Sequence, residues 1–166
     1  MKMTDKKYTF EDYTDIIKEL RGEHGCPWDR DQTDVSLKGC MIDEAAEVLA
    51  GIDVYHETGD PSNLCEELGD LLLLIVLESQ IASEKGIFDI RDVIRMASEK
   101  MIRRHPHVFA GAGDVPDWNE IKKKEKESVS AEVESAKARA LVRAEDEILE
   151  LIRINREKRQ DSVGNA

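Results

Sequence analysis

The sequence predicts an all-α fold, a helical bundle with a long C-terminal helical extension. Three observations lead there. Apolar residues recur at steps of three and four through five successive segments. Gly and Pro are sparse, 10 and 4 in 166 residues, and gather in a few short clusters. Aromatic residues make up only 5% of the chain while charged residues make up 36%, the composition of a water-soluble helical protein. Nothing in the pattern favours strands.

The first helix is expected from about Thr9 to Arg21, with Phe10, Tyr13, Ile16, Ile17 and Leu20 at helical spacing. It should end in a loop, Gly22 to Asp29. The second begins near the cap candidates Thr33 and Asp34 and carries an apolar stripe of Leu37, Met41, Ala45, Val48, Leu49 and Ile52. It stops around Glu57-Thr58-Gly59. Asp60 followed by Pro61 then reads as an N-cap with Pro at the first helical position. The third helix runs on to Lys85 and is closed by Gly86. Its middle, Leu71 to Leu77, is apolar all round, and such a helix needs cover on most sides. One small domain offers little of that, so a homodimer with a four-helix-bundle core is expected. The fourth helix spans Asp89 to Arg104 and stops before Pro106. After a loop, Gly111 to Pro116, one continuous helix is expected from Asp117. Val129, Val133, Ala136, Ala140, Ala144, Ile148, Leu151 and Asn155 give that helix a coiled-coil-like seam weakened by its alanines. The last residues, Gln160 to Ala166, read as a disordered tail.

The formal net charge is −12. Residues 1–118 hold all of it, with 13 Lys+Arg against 25 Asp+Glu. Such a surface does not suit tracking along a nucleic acid, so no nucleic-acid partner is expected. Three cysteines, Cys26, Cys40 and Cys65, have no CxxC spacing, which points to reduced thiols rather than disulfides or zinc. The N-terminus lacks the apolar run of a signal peptide, and no apolar stretch is long enough to span a bilayer. A cytoplasmic protein without a membrane partner is expected.

Two acidic patterns carry the first candidate chemistry: Asp43-Glu44-Ala45-Ala46-Glu47 and Glu66-Glu67-Leu68-Gly69-Asp70. Residues three apart share a helix face, so Glu44 pairs with Glu47 and Glu67 with Asp70. In an antiparallel hairpin turning near Thr58, both pairs fall at about the same height, roughly 15–20 Å from the turn. Four converging carboxylates repel one another unless a cation shares the site. Oxygen-only ligands suit Mg²⁺, with Mn²⁺ as a possible substitute, rather than zinc. A di-iron site would want Glu-x-x-His, which neither helix supplies. The plainer alternative is that these acids are solvated helix faces.

A basic stretch follows, Lys100-Met101-Ile102-Arg103-Arg104-His105-Pro106-His107. Lys100, Arg103 and Arg104 in a last helical turn could simply balance the helix dipole, or bind phosphates. Trp28 and Trp118, the two tryptophans, could pack in a core or stack on a base.

Taken in order, these stretches resemble the MazG-type nucleoside triphosphate pyrophosphohydrolases, in a single-domain form. The resemblance rests on Gly25-Cys26-Pro27-Trp28-Asp29, Gln32-Thr33 and Ser36-Leu37, the two acidic patterns, Lys100 to Phe109, and Trp118-Asn119-Glu120-Ile121-Lys122. It covers residues 8–127, which divides the chain into a catalytic helical domain, 1–127, and a C-terminal helical extension, 128–166. It implies a dimer of helical bundles that hydrolyses a nucleoside triphosphate substrate to a monophosphate and pyrophosphate with Mg²⁺, as in the removal of unwanted nucleotides from the pool. It implies Mg²⁺ ligands at Glu44, Glu47, Glu67 and Asp70, which are also the catalytic set, and a water oriented by one of these carboxylates. It implies substrate contacts at Lys100, Arg103, Arg104, Trp118 and Lys122, with Trp28 as a further candidate. Asp43 departs from the family pattern, which has Glu there. The rival readings are an enzyme of the same fold restricted to dUTP or dCTP, and a non-enzymatic helical interaction protein. The C-terminal extension is expected to brace the fold rather than to supply chemistry.

Overall fold

The computed structural model describes residues 7–111, 113, 117–127 and 129–164. Every regular element among them is helical: α1 (Phe10–Leu20), α2 (Pro27–Asp31), α3 (Leu37–Thr58), α4 (Ser62–Glu84), α5 (Ile90–Arg104), α6 (Pro106–Phe109), α7 (Trp118–Glu127) and α8 (Ala131–Gly164). The described chain divides into two units, Met1–Ile90 and Arg91–Ala166.

In the first unit, α1 opens on a capping box. The Thr9 hydroxyl accepts the Asp12 N–H, and the Asp12 carboxylate accepts the Thr9 N–H in return. The apolar face of α1 buries Ile17 against Leu37, Leu74, Val76, Leu77 and Ile81, with Phe10, Tyr13, Leu20 and Met41 at the margin. Ile16, expected in that stripe, points outward. Between α1 and α3 the chain turns at Gly25, where a Cβ would stand 2.1 Å from the Leu20 carbonyl oxygen. Arg21 then fastens this connection. Its guanidinium donates to the Asp29 and Gln32 carbonyls and to both oxygens of Glu84, the latter at 2.8 and 2.7 Å. The expected Gly22–Asp29 loop is shorter than predicted, because Pro27 starts a five-residue helix, α2. Pro at the first helical position and Asp29 in the first turn are the local reasons.

α3 and α4 form the hairpin that the acidic spacing requires. Gly59 closes α3 in the left-handed conformation, φ 76°, and its N–H donates to the Tyr55 carbonyl at 2.8 Å. The next helix starts one residue later than expected: Pro61 is its N-cap rather than its first residue, and Asp60 stands outside it, its carboxylate accepting the Ser62 N–H at 2.9 Å in the turn. The helices pass very close at Gly51, where an added Cβ would lie 3.1 Å from the Leu64 Cα. α4 is not buried all round within this unit. Leu74, Val76, Leu77 and Ile81 are covered, whereas Leu68, Leu72 and Ile75 remain exposed, as do Leu49, Ile52 and Tyr55 of α3.

In the second unit, α5 ends at Arg104, and Pro106 begins the short α6. The single helix expected from Asp117 is two. α7 ends at Glu127 and α8 starts anew at Ala131, with the Ser130 hydroxyl accepting the Val133 N–H and the Ser130 carbonyl accepting the Glu134 N–H. A serine that can cap a new turn outcompetes helix continuity there, so Val129 falls outside the seam's helix. α8 extends to Gly164, through most of the tail expected to be disordered; residues 165–166 lie outside the described ones. Among seam positions, Ala144, Ile148, Leu151 and Asn155 are half-buried and Val133 is exposed.

Candidate functional site

The hairpin carries the first candidate site. Glu44 of α3 and Glu67 and Asp70 of α4 each offer a carboxylate oxygen, and these oxygens lie within 4.8 Å of one another. Glu47 lies outside that group of three, although its charge acts on Glu44. The Glu44 carboxyl is pushed above the usual carboxylate range, first by burial, then by Glu47, Asp70, Glu67 and Asp43. One of its oxygens, Oε2, is buried without a hydrogen-bond partner. A buried carboxylate oxygen with no donor, beside two further carboxylates, is costly for the chain by itself. All the donors are oxygens, so the set fits a hard divalent cation of the Mg²⁺ or Mn²⁺ kind.

Two further side chains stand beside this set. Asn63, one turn before Glu67, donates its amide N–H to Glu67 Oε1 at 2.7 Å. Tyr13 of α1 sits close enough for Asp70 to help raise its phenol pKa, after burial as the larger cause. Neither residue was singled out from the sequence. Asn63 stood at a helix start with no motif around it, and its relation to Glu67 is the ordinary four-residue step. Trp28 stands on α2 with 55% of its surface exposed, so it is not a core residue of this unit.

The second candidate site is basic and lies in the second unit. Arg103 and Arg104 both close on Glu125 of α7. Arg103 Nη2 reaches Oε1 at 2.8 Å and Arg104 Nη2 reaches Oε2 at 2.6 Å, with the Nε atoms of both at 3.2 Å. The two guanidiniums hold the Glu125 carboxyl far below its usual range, at about 2. Glu125 escaped the sequence reading because it lies in a run of alternating Lys and Glu that looks like a solvated face. Trp118 joins the cluster: the Arg104 guanidinium lies 4.9 Å from its ring centre, the Lys122 ammonium 5.7 Å and the His105 ring 5.8 Å. Lys100 and Arg103 line a groove of about 1190 Å³ whose apolar lining includes Met96, Met101, Ile121 and Val129. Lys124 and Lys137 line it as well. Lys137 belongs to α8, so the extension, expected to brace the fold rather than to supply chemistry, contributes a cation to this lining. No helix among the described residues is long and apolar enough to cross a membrane.

Comparison with known proteins identifies the family. Residues 32–109, which contain the acidic set and the basic stretch, match the family model described as the MazG nucleotide pyrophosphohydrolase domain. A protein of Bacillus subtilis described as uncharacterized protein YabN is 48% identical over 125 residues, covering 72% of this chain and 25% of that protein. The nucleoside triphosphate pyrophosphohydrolase/pyrophosphatase MazG of Thermotoga maritima is 46% identical over 129 residues, covering 75% of this chain and 48% of its own. The nucleoside triphosphate pyrophosphohydrolase of Escherichia coli is 39% identical over 118 residues, covering 67% and 43%. The chain thus spans a quarter to about half the length of these relatives.

Proposed function

From the premise that this chain belongs to the MazG nucleotide pyrophosphohydrolases, we propose that it hydrolyses nucleoside triphosphates to a monophosphate and pyrophosphate in a Mg²⁺-dependent reaction that clears nucleotides from the cytoplasmic pool. The observation that carries this reading is the convergence of Glu44, Glu67 and Asp70 around a buried, partnerless carboxylate oxygen.

In this reading Glu44, Glu67 and Asp70 hold the cation, with Glu47 as the fourth acid of the set. Bound there, Mg²⁺ would neutralise charge that develops on the phosphate oxygens. Asn63 keeps the Glu67 carboxylate in one orientation through its amide. A carboxylate of the set orients the attacking water. Lys100, Arg103, Arg104 and Lys122 carry the phosphates and the leaving pyrophosphate, and Trp118 offers a face to the nucleotide. Trp28 is kept as a second stacking candidate.

The working form in this reading is at least a homodimer. The exposed apolar residues of α3 and α4, among them Leu49, Tyr55, Leu68, Leu72 and Ile75, supply the surface. Sedimentation at micromolar concentration is expected to exclude an active 18.8 kDa monomer.

The deciding experiment is a panel of ribo- and deoxyribonucleoside triphosphates with Mg²⁺, scored by pyrophosphate release. Release is expected with several bases, to stop in EDTA and to return with Mg²⁺ or Mn²⁺. Turnover that continues undiminished in excess chelator would end the metal-dependent reading. Release from dUTP or dCTP alone would replace the broad activity with a base-restricted one.

A further inference from the structure

Arg103 and Arg104 are consecutive on α5, so their side chains leave the helix about 100° apart. Left alone, two like charges there repel, and each long side chain keeps many rotamers. In the structure both guanidiniums nevertheless meet on one carboxylate of α7. The Arg104 side chain is 13% exposed and that of Glu125 21%, while that of Arg103 is 57% exposed. The bonds to Glu125 use Nε and Nη2 of each arginine, so the Nη1 ends take no part in the clamp. Trp118 bounds Arg104 on another side. Two cations on one anion leave a surplus of positive charge, held in a fixed arrangement, and Glu125 stays ionised at any pH near neutrality.

We infer that Glu125 is a positioning residue for phosphate binding: it holds Arg103 and Arg104 side by side as a paired guanidinium site before the ligand arrives. The inference rests on the reading that these arginines carry the phosphates. The ordering cost of two long side chains is met by folding, so less of it is left to the binding step. The opposite role, a carboxylate competing with the ligand for the same guanidiniums, predicts the reverse effect of its removal.

The test is titration calorimetry of inorganic pyrophosphate against the full chain in EDTA, for wild type, Glu125→Ala, Glu125→Gln, Glu125→Asp and Arg103→Ala. Glu125→Ala is expected to weaken binding about tenfold, Glu125→Gln less, and Glu125→Asp to recover part of the loss at unchanged helix content by circular dichroism. If Glu125→Ala loses helix content, Glu125→Gln carries the comparison in its place. Equal or tighter binding by the folded Glu125→Ala or Glu125→Gln chain overturns the inference, and tighter binding identifies the carboxylate as a competitor. Where Arg103→Ala weakens binding and the Glu125 variants do not, the inference alone fails. Where Arg103→Ala leaves binding intact, the phosphate assignment of these arginines fails and the inference with it.

Discussion

Glu44, Glu67 and Asp70 converge in a setting where every charge that shifts Glu44 is another carboxylate. Arg103 and Arg104 converge on a carboxylate of opposite charge, at 2.8 and 2.6 Å. The two clusters have opposite economies. The acidic one gathers carboxylates that act against the charge on Glu44, and one Glu44 oxygen is buried without a hydrogen-bond partner, so a cation bound there would stabilise the chain. The basic one is already internally paired, so it is ordered before any ligand arrives. Removing a charge from the first should therefore stabilise the protein while disabling it. Removing a charge from the second should disable it without that gain.

The largest expected effect follows directly. Glu67→Gln and Glu44→Gln should each lower kcat/KM by at least ~10²-fold, as loss of a metal ligand does. In EDTA, Glu44→Gln should also melt higher than wild type, by about 2–4 °C if relief of repulsion contributes about 1 kcal/mol. A lower melting point in EDTA would mean that the acidic cluster is not strained, and the contrast between the two sites would be lost.

Arg103→Ala comes next, with kcat/KM down about 10²-fold for a charge-assisted contact of about 3 kcal/mol, and little change in melting temperature. Full activity with a lowered melting temperature would leave Arg103 as a helix-end cation only. A chain ending after Val129 tests the extension. Because it removes Lys137 from the groove, kcat/KM should fall by about fivefold or less, in keeping with one exposed cation. Complete loss of turnover in a folded dimer would show that α8 belongs to the catalytic machinery.

The smallest effect is a pH dependence in chelator. The Glu44 carboxyl binds its proton more tightly in the folded chain than in the unfolded one. Its contribution to stability is therefore present at low pH and is lost as pH rises from the ordinary value of 4.5 through the raised one. Glu125 has the opposite sign: its contribution is present above its ordinary 4.5 and is lost as pH falls towards about 2. Melting curves in EDTA across this range should show wild type losing stability relative to Glu44→Gln as pH rises, and Mg²⁺ should reverse the loss. Parallel curves for the two proteins would remove Glu44 from the account.

The hairpin and the meeting of its acids were legible because one helical period and one turn signal fix both. Glu44 precedes Thr58 by about as much as Asp70 follows it, and Gly59 with Asp60 marks the turn. The capping box of α1 was not read, although Thr9 and Asp12 stand at its spacing. The fresh start at Ala131 was missed because apolar seam positions lie on both sides of it, and the Ser130 hydroxyl, which accepts the Val133 N–H, gave no signal strong enough to override that pattern. Glu125 was not legible for a different reason. Its meaning comes from side chains 21 and 22 positions away, and no local pattern reports a contact of that range.

Gly51 carries no charge, and its backbone approach to Leu64 lies between the turn and the acidic residues. Glu44 stands two turns before it on one helix, and Glu67 stands just beyond Leu64 on the other. The gap between the helices at this crossing therefore bounds how closely carboxylates borne on the two helices can approach. Mg²⁺ asks for oxygens at about 2.0–2.1 Å and Ca²⁺ accepts about 2.3–2.6 Å. A methyl group at position 51 would wedge the helices by a few tenths of an ångström, comparable to the difference between the two ions. The room for an ion shared between the helices would then depend on a position that carries no side chain at all.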